Sequence, residues 1–208
     1  MSTNSIDLNR RHRDNTRERL IRAGRDLFFR LDHGKISVDL IAREAGFSRA
    51  AFYLHFADKD DLLAAMMLAE SYRADTLFRW FEANPVSADS IARFLAAFID
   101  ANAATPAMRL FHVTALQSPR AHDAFMENRR RLMAVLGQGF PAFRPAHDDS
   151  SAEQARMARA TLAMVLIEQC ALREYRAADA GVAQAMLAQV STTLLGLHRD
   201  YPGNEETP

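Results

Sequence analysis

The stretch from Ser37 to Leu62, SVDLIAREAGFSRAAFYLHFADKDDL, sets two serine-capped helix starts on either side of one glycine. Ser37 is expected to cap a short helix whose inner face is Val38, Ile41, Ala42 and Ala45. Gly46 turns the chain where a Cβ would be strained, Phe47 plugs the corner, and Ser48 caps the next helix. From that second helix Phe52 and Phe56 face inward, while Arg49, Ala50, Ala51 and Leu54 are left outside. Small Ala42 and Ala45 let the two axes cross closely. The pattern is that of a helix-turn-helix, whose second helix enters a DNA major groove.

The rest of the chain repeats the helical period and offers almost no strand. Leu20, Gly24, Leu27, Phe28 and Leu31 form one apolar stripe of a first helix starting near Asp14 or Thr16. A long helix is expected from about Asp58 to Glu82, where Asn84-Pro85 stops it. Thr105-Pro106 and Ser118-Pro119 each open a helix in cap-then-proline order. Residues 137–150, with two glycines and two prolines, form the best loop candidate, followed by helices near 151–178 and 182–199. The fold class is all-α, with about nine helices. The expected division is a flexible arm over 1–13, a helix-turn-helix domain over 14–58, a larger helical domain over 59–200 and a tail over 201–208.

Charge and cysteine use narrow the function classes. The 208 residues balance to a formal net charge of zero, yet residues 1–60 hold twelve Arg or Lys against nine Asp or Glu. The weak positive excess lies where phosphates would be, though ordinary surface variation accounts for it equally well. Cys170 is the single cysteine, which excludes an internal disulfide framework and suits a reducing cytoplasm. The first residues lack the apolar segment of a secretory signal, and LAMVLIEQCAL is interrupted by Glu168 and Gln169, so no membrane span is expected. There is no Gly-rich phosphate loop, no GxSxG and no HExxH, and the seven histidines show no ligand spacing. No metal, cofactor or catalytic group is expected. Cys170 on an apolar helix face belongs to a core.

In the helix-turn-helix, Arg49 suits bidentate reading of guanine, and Ala50 and Ala51 suit contact with thymine methyls. Ser48 satisfies free N–H groups at the helix start; Tyr53, His55 and Lys59 can donate to phosphates and so fix register. A plain helical hairpin with Tyr53 and His55 on its surface satisfies the same spacing.

Residues 21–62 resemble the tetracycline-repressor (TetR) family of bacterial regulators, through AGRDLFFRLDHGKISV, then IAREAGFS, then FYLHFADKDDLL. The resemblance covers about a fifth of the chain. It implies a three-helix DNA-binding domain, a C-terminal helical ligand-binding domain, and homodimerisation through the last two long helices. It also implies a repressor that a small molecule releases from a double-stranded operator. By position, Ser37, Tyr53, His55 and Lys59 look like phosphate contacts, and Arg49 with its neighbours like base readers. Ala50-Ala51 stand where a Gly-Thr pair is common, which removes one hydroxyl contact.

A short recognition helix buries too little surface for tight specific binding, so symmetric pairing on a palindrome is the usual remedy. Leu162, Val165, Leu166, Val190, Leu194 and Leu197 offer apolar faces for that pairing, or for closing the monomer core. Trp80, Phe98, Phe111 and Met164 suit an adaptable apolar cavity for a mostly apolar or aromatic effector, although for any single one of them a filled core is the stronger reading. Glu168, Gln169 and Arg173 interrupt one apolar helix, as Arg109 and His112 do another. Buried charge is costly unless paired, so these residues meet solvent, a ligand or each other, as in a Glu168–Arg173 or Glu168–Arg109 pair. Two other classes fit less of the pattern: an all-α carrier of small molecules, and a small all-α enzyme using Glu168.

Overall fold

The computed structural model describes residues 3–103, 107–172 and 179–203, with side chains given outside 3–12, 71–73 and 107–109. Among the described residues the chain is helical throughout, with two short 3-10 turns and no strand. The helices are α1 (Thr3–Arg30), α2 (Val38–Glu44), α3 (Arg49–Tyr53), α4 (Lys59–Phe78), α5 (Trp80–Ala83), α6 (Ala88–Ala103), α7 (Ala107–Ala115), α8 (Pro119–Leu136), α9 (Ser151–Cys170) and α10 (Ala180–Asp200). α1 begins well ahead of the expected cap at Asp14 or Thr16, so the segment read as a flexible arm is helical from Thr3. No glycine or proline lies between Thr3 and Gly24 to stop a helix propagating outward.

The chain divides into two compact units, 1–70 with 110–125, and 71–109 with 126–208. This differs from the division expected at residue 58. The first turns of α4 go with the N-terminal unit because Leu62, Leu63, Met66 and Met67 are buried in it. In that unit Leu20, Leu27 and Phe28 of α1, Ile41 and Ala42 of α2, and Phe52 and Phe56 are also buried. Each such side chain contributes roughly 1.5–3 kcal/mol relative to exposure.

The second unit is built on phenylalanines. Phe78 meets Phe94 and Phe98 edge-on, with ring centroids 6.1 and 5.9 Å apart. Phe140 likewise meets Phe81 at 5.3 Å and Phe143 at 5.1 Å. The expected loop over 137–150 is thus partly core, with a 3-10 turn at Pro141–Phe143 and Phe140, Ala142 and Phe143 buried. Arg156, only 5% exposed, pins it by donating to the carbonyls of Ala142 and Arg144, each at 2.8 Å, and of Pro145 at 3.3 Å. Its guanidinium also pairs with Glu153 at 2.6 Å, and that hydrogen bond, above all, holds the Glu153 carboxyl down to about 2.

The apolar residues proposed for pairing split in two. Val190, Leu194 and Leu197 are buried in the core of the second unit and close the monomer. Leu162 and Leu166 on α9 are 64% and 36% exposed, as are Val182 and Met186 on α10, at 53% and 40%. α10 stands apart in composition. It is long and apolar enough, by length and composition, to cross a membrane, because residues 180–197 carry no charge. Only 17% of that stretch is buried within the chain.

Gly139 marks the tightest approach in the second unit. A Cβ there would stand 2.1 Å from the backbone carbon of Phe81 and 2.3 Å from the nitrogen of Glu82. Backbone cannot swing aside as a side-chain end can. Gly139→Ala is expected to cost about 3 kcal/mol or more in urea unfolding, whereas alanine at Gly196, inside α10 where the space is open, is expected to be neutral or to stabilise by up to about 1 kcal/mol.

Candidate nucleic-acid interface

Both helix starts of the motif are capped as the serines foretold. Ser37 Oγ accepts from the Leu40 N–H at 3.2 Å, and Ser48 Oγ from the Ala51 N–H at 3.1 Å. Between them the Gly46 N–H donates to the Arg43 carbonyl at 3.0 Å and the Phe47 N–H to the Ala42 carbonyl at 2.8 Å. Gly46 itself has φ +75°, the left-handed conformation that an L side chain rarely adopts.

A residue outside the motif braces this corner. Arg19 of α1 donates from Nη2 to the Ala45 carbonyl at 2.9 Å, and its guanidinium lies 4.5 Å from the Phe47 ring centroid. One side chain thus satisfies the end of α2 and covers the corner's apolar plug. In sequence Arg19 is one of several arginines on a polar helix face, with no local signal to single it out.

The corner turns α3 outward. Arg49, Ala50, Tyr53 and Leu54 are exposed, while Ala51, expected beside them, is half-buried against the turn. Arg49 is parked on its neighbours: Nη1 lies 3.2 Å from Asp39 Oδ2, and Nη2 donates to the Tyr53 hydroxyl at 3.2 Å. Both partners are exposed, so water or a base edge can replace them at little cost. Ser37 and Ser48 are exposed, and His55 is half-buried.

Lys59 departs from the simple expectation. Its Nζ donates to the carbonyls of His33 at 2.8 Å and Ile36 at 3.1 Å, spending two of three protons inside the fold. It ties the α1–α2 connection to the start of α4, and one proton remains for a phosphate. The next residue extends the brace. Asp60 Oδ1 lies 2.8 Å from His33 Nε2. Burial raises the Asp60 pKa, but hydrogen bonds from His33 and Ser118 with the charges of His33 and Lys59 outweigh it and leave it below its usual value. Asp58 accepts from the N–H groups of Asp60 and Asp61 and pairs with Arg120 at 2.8 Å. The turn between α7 and α8 is therefore fastened to the helix that follows the recognition turn, within one unit.

The residues read as a ligand pocket do not form one cluster. Phe98 and Met164 are buried in the second unit's core, and Trp80 packs against it while its indole N–H donates to the Ser90 carbonyl at 3.1 Å. Phe111 is buried in the first unit, where His112 stacks edge-on with Phe125 at 4.8 Å. Glu168 is buried, and the structure gives it a partner that the sequence did not single out. Arg129 of α8 grips it bidentately, Nε to Oε1 at 3.0 Å and Nη2 to Oε2 at 2.6 Å. Sequence spacing favoured partners on Glu168's own helix or at an apolar interruption, whereas the α8–α9 packing supplies Arg129. Gln169 is half-buried. Arg173 and the Arg109 side chain lie outside the described residues. Cys170 is core as expected, its thiol pushed up to about 11 by burial.

An exposed, capped second helix set on a glycine corner defines a helix-turn-helix DNA-binding module. Residues 20–66 match the model of the family described as bacterial regulatory proteins, tetR family. Residues 20–66 thus carry a DNA-binding domain of the tetR type, set in an all-helical chain. It is 42% identical over 55 residues, 26% of its length, to the HTH-type transcriptional regulator YwcC of Bacillus subtilis (strain 168). That match spans 25% of YwcC. Salmonella enterica GusR has a similar fold, with TM-score 0.63 and 21% identity over 89% of this chain and 96% of GusR. So does RolR, solved with its ligand resorcinol, with TM-score 0.55 and 20% identity over 93% of this chain and 98% of RolR.

Asp60 gives the interface a pH signature. Its folded pKa lies below its ordinary 3.8, so its stabilising contribution is present above that value and lost as pH falls through the folded one. Asp60→Asn is expected to lower the urea midpoint at neutral pH and to flatten its decline between about pH 5 and about pH 2.5. Parallel acid limbs for the two proteins would remove Asp60 from the brace.

Proposed function

We propose that the protein is a cytoplasmic repressor that binds a palindromic operator as a homodimer and is released by a small, mostly apolar effector. The observation that carries the DNA contact is the exposed α3 face of Arg49, Ala50 and Tyr53, held out by the Gly46 corner and its two serine caps. Arg49 leaves Asp39 for a guanine edge and Ala50 meets a thymine methyl, with Ala51 contributing only its exposed part. Tyr53, Ser37, Ser48, His55 and the remaining Lys59 proton face phosphates and fix register.

The partner is a second copy of this chain. α10 carries no charge over 180–197 and is mostly unburied, and Leu162 and Leu166 present a matching apolar stripe on α9. Such faces stay in water only at a cost, and an isologous pair of them forms a four-helix seam. The effector site draws on the aromatic and methionine side chains of the second unit, among them Trp80, Phe98 and Met164, as RolR's complex with the phenolic compound resorcinol supports by analogy. Gln169, Arg109 and Arg173 remain proposed contacts of that effector. Glu168 is assigned to structure, because Arg129 engages both its oxygens; this also weakens the enzyme reading. Linkage requires operator and effector to weaken each other's binding by the same factor.

Two measurements test the reading. Leu162→Glu with Met186→Glu is expected to shift sedimentation from dimer to monomer and to weaken retention of genomic fragments more than tenfold, with the helical circular dichroism unchanged. A wild-type chain that is monomeric at micromolar concentration would refute the seam. Tyr53→Phe is expected to weaken binding to every fragment alike, and Arg49→Ala to change which fragments are retained.

A further inference from the structure

His55 follows α3 by two residues and shares its surroundings with α1. Its neighbour Phe56 is buried, with the Arg17 guanidinium 5.1 Å from the ring centroid. Arg13 precedes Arg17 by one helical turn on α1, so both side chains leave the same face of the helix. Like charges at that spacing repel. Four other arginines of this unit are neutralised locally: Arg25 by Asp26 and Glu70, Arg30 by Glu44, Arg49 by Asp39 and Arg120 by Asp58. Among the described residues neither Arg13 nor Arg17 stands within 4 Å of a carboxylate, and both are exposed.

His55 registers the resulting field. Burial first, then Arg13, then Arg17 push its pKa below the usual 6.5. The charged groups facing it are those two guanidiniums, both from α1; its own turn offers the Phe56 ring, with centroids 6.5 Å apart. Two permanent cations and one titratable group, uncompensated and beside the recognition turn, oppose one another in the free fold. An anion with several acceptor oxygens would relieve all three at once.

We propose that Arg13, Arg17 and His55 form a composite cradle for one backbone phosphate of duplex DNA, and that seating the phosphate loads a proton onto His55. The inference rests on the DNA-binding reading above. It adds two contacts from α1, outside the helix-turn-helix, and it makes affinity proton-linked. Each protomer takes one proton from solvent as the phosphate charge offsets Arg13 and Arg17 and favours the imidazolium. Below the free-state pKa His55 is already charged and affinity is at its ceiling. Affinity then falls as pH rises between the free-state and bound-state values, by up to about tenfold per pH unit for each proton.

A phosphate contact is independent of sequence, so a mixed-sequence fluorescein-labelled duplex at low salt serves as the probe, titrated by anisotropy from about pH 5.5 to about pH 8. The wild-type chain is expected to weaken about tenfold or more across that range, and His55→Gln to flatten the profile. Arg13→Gln with Arg17→Gln is expected to lower the slope of log affinity against log salt by about one per protomer. In the DNA-free full-length chain the same double substitution should raise the His55 pKa toward 6.5 in an NMR titration, and adding duplex to wild type should raise it too. Profiles for His55→Gln that track wild type, or a folded double variant with unchanged salt slope, would overturn the cradle while leaving DNA binding intact. Failure of wild type to bind the duplex at any pH would instead overturn the DNA-binding reading itself, and the cradle with it.

Discussion

What α3 presents to solvent depends on the left-handed turn at Gly46 and on Arg19, which holds that turn from outside. Gly46 permits a φ of +75° that a Cβ would resist, and Arg19 closes on the Ala45 carbonyl and the Phe47 face. α3 is only five residues long and too short to hold its own shape in water. Its orientation is therefore imposed by the corner before it, by the Ser48 cap, and by Phe52 and Phe56 beneath it. A five-residue helix set so firmly presents side chains with little freedom left to lose on binding, which favours affinity.

The start of α4 is the second point of fixation. Lys59, Asp60 and Asp58 bind, respectively, the α1–α2 connection, His33 with Ser118, and Arg120. These polar contacts gather two stretches distant in sequence around one helix N-terminus, whose orphan N–H groups Asp58 also satisfies. α4 and α8 each run from one compact unit into the other.

Arg129–Glu168 and Arg156–Glu153 play the corresponding part in the second unit, with guanidiniums that satisfy carboxylates or loop carbonyls. Neither pair was legible as such. Glu168 stood out as a charge in an apolar helix, but its partner lies 39 residues away on α8, and no periodicity encodes that distance. The pairing stripe was half legible for a related reason: spacing marks Leu162 and Val190 alike as apolar, and only packing shows that Val190 is core while Leu162 is bare.

The amino-acid sequence by itself determined the helical class, the two serine caps, the glycine corner and the outward Arg49–Tyr53 face. These are local facts, set by φ, by hydrogen-bond donors within three residues, and by a period of 3.6. Tertiary structure alone decided that Arg19 braces the corner, that Lys59 spends itself on carbonyls, and that Arg13 and Arg17 stand unneutralised beside His55. Long, flexible charged side chains have many partners within reach, and only the packing of the helices chooses among them.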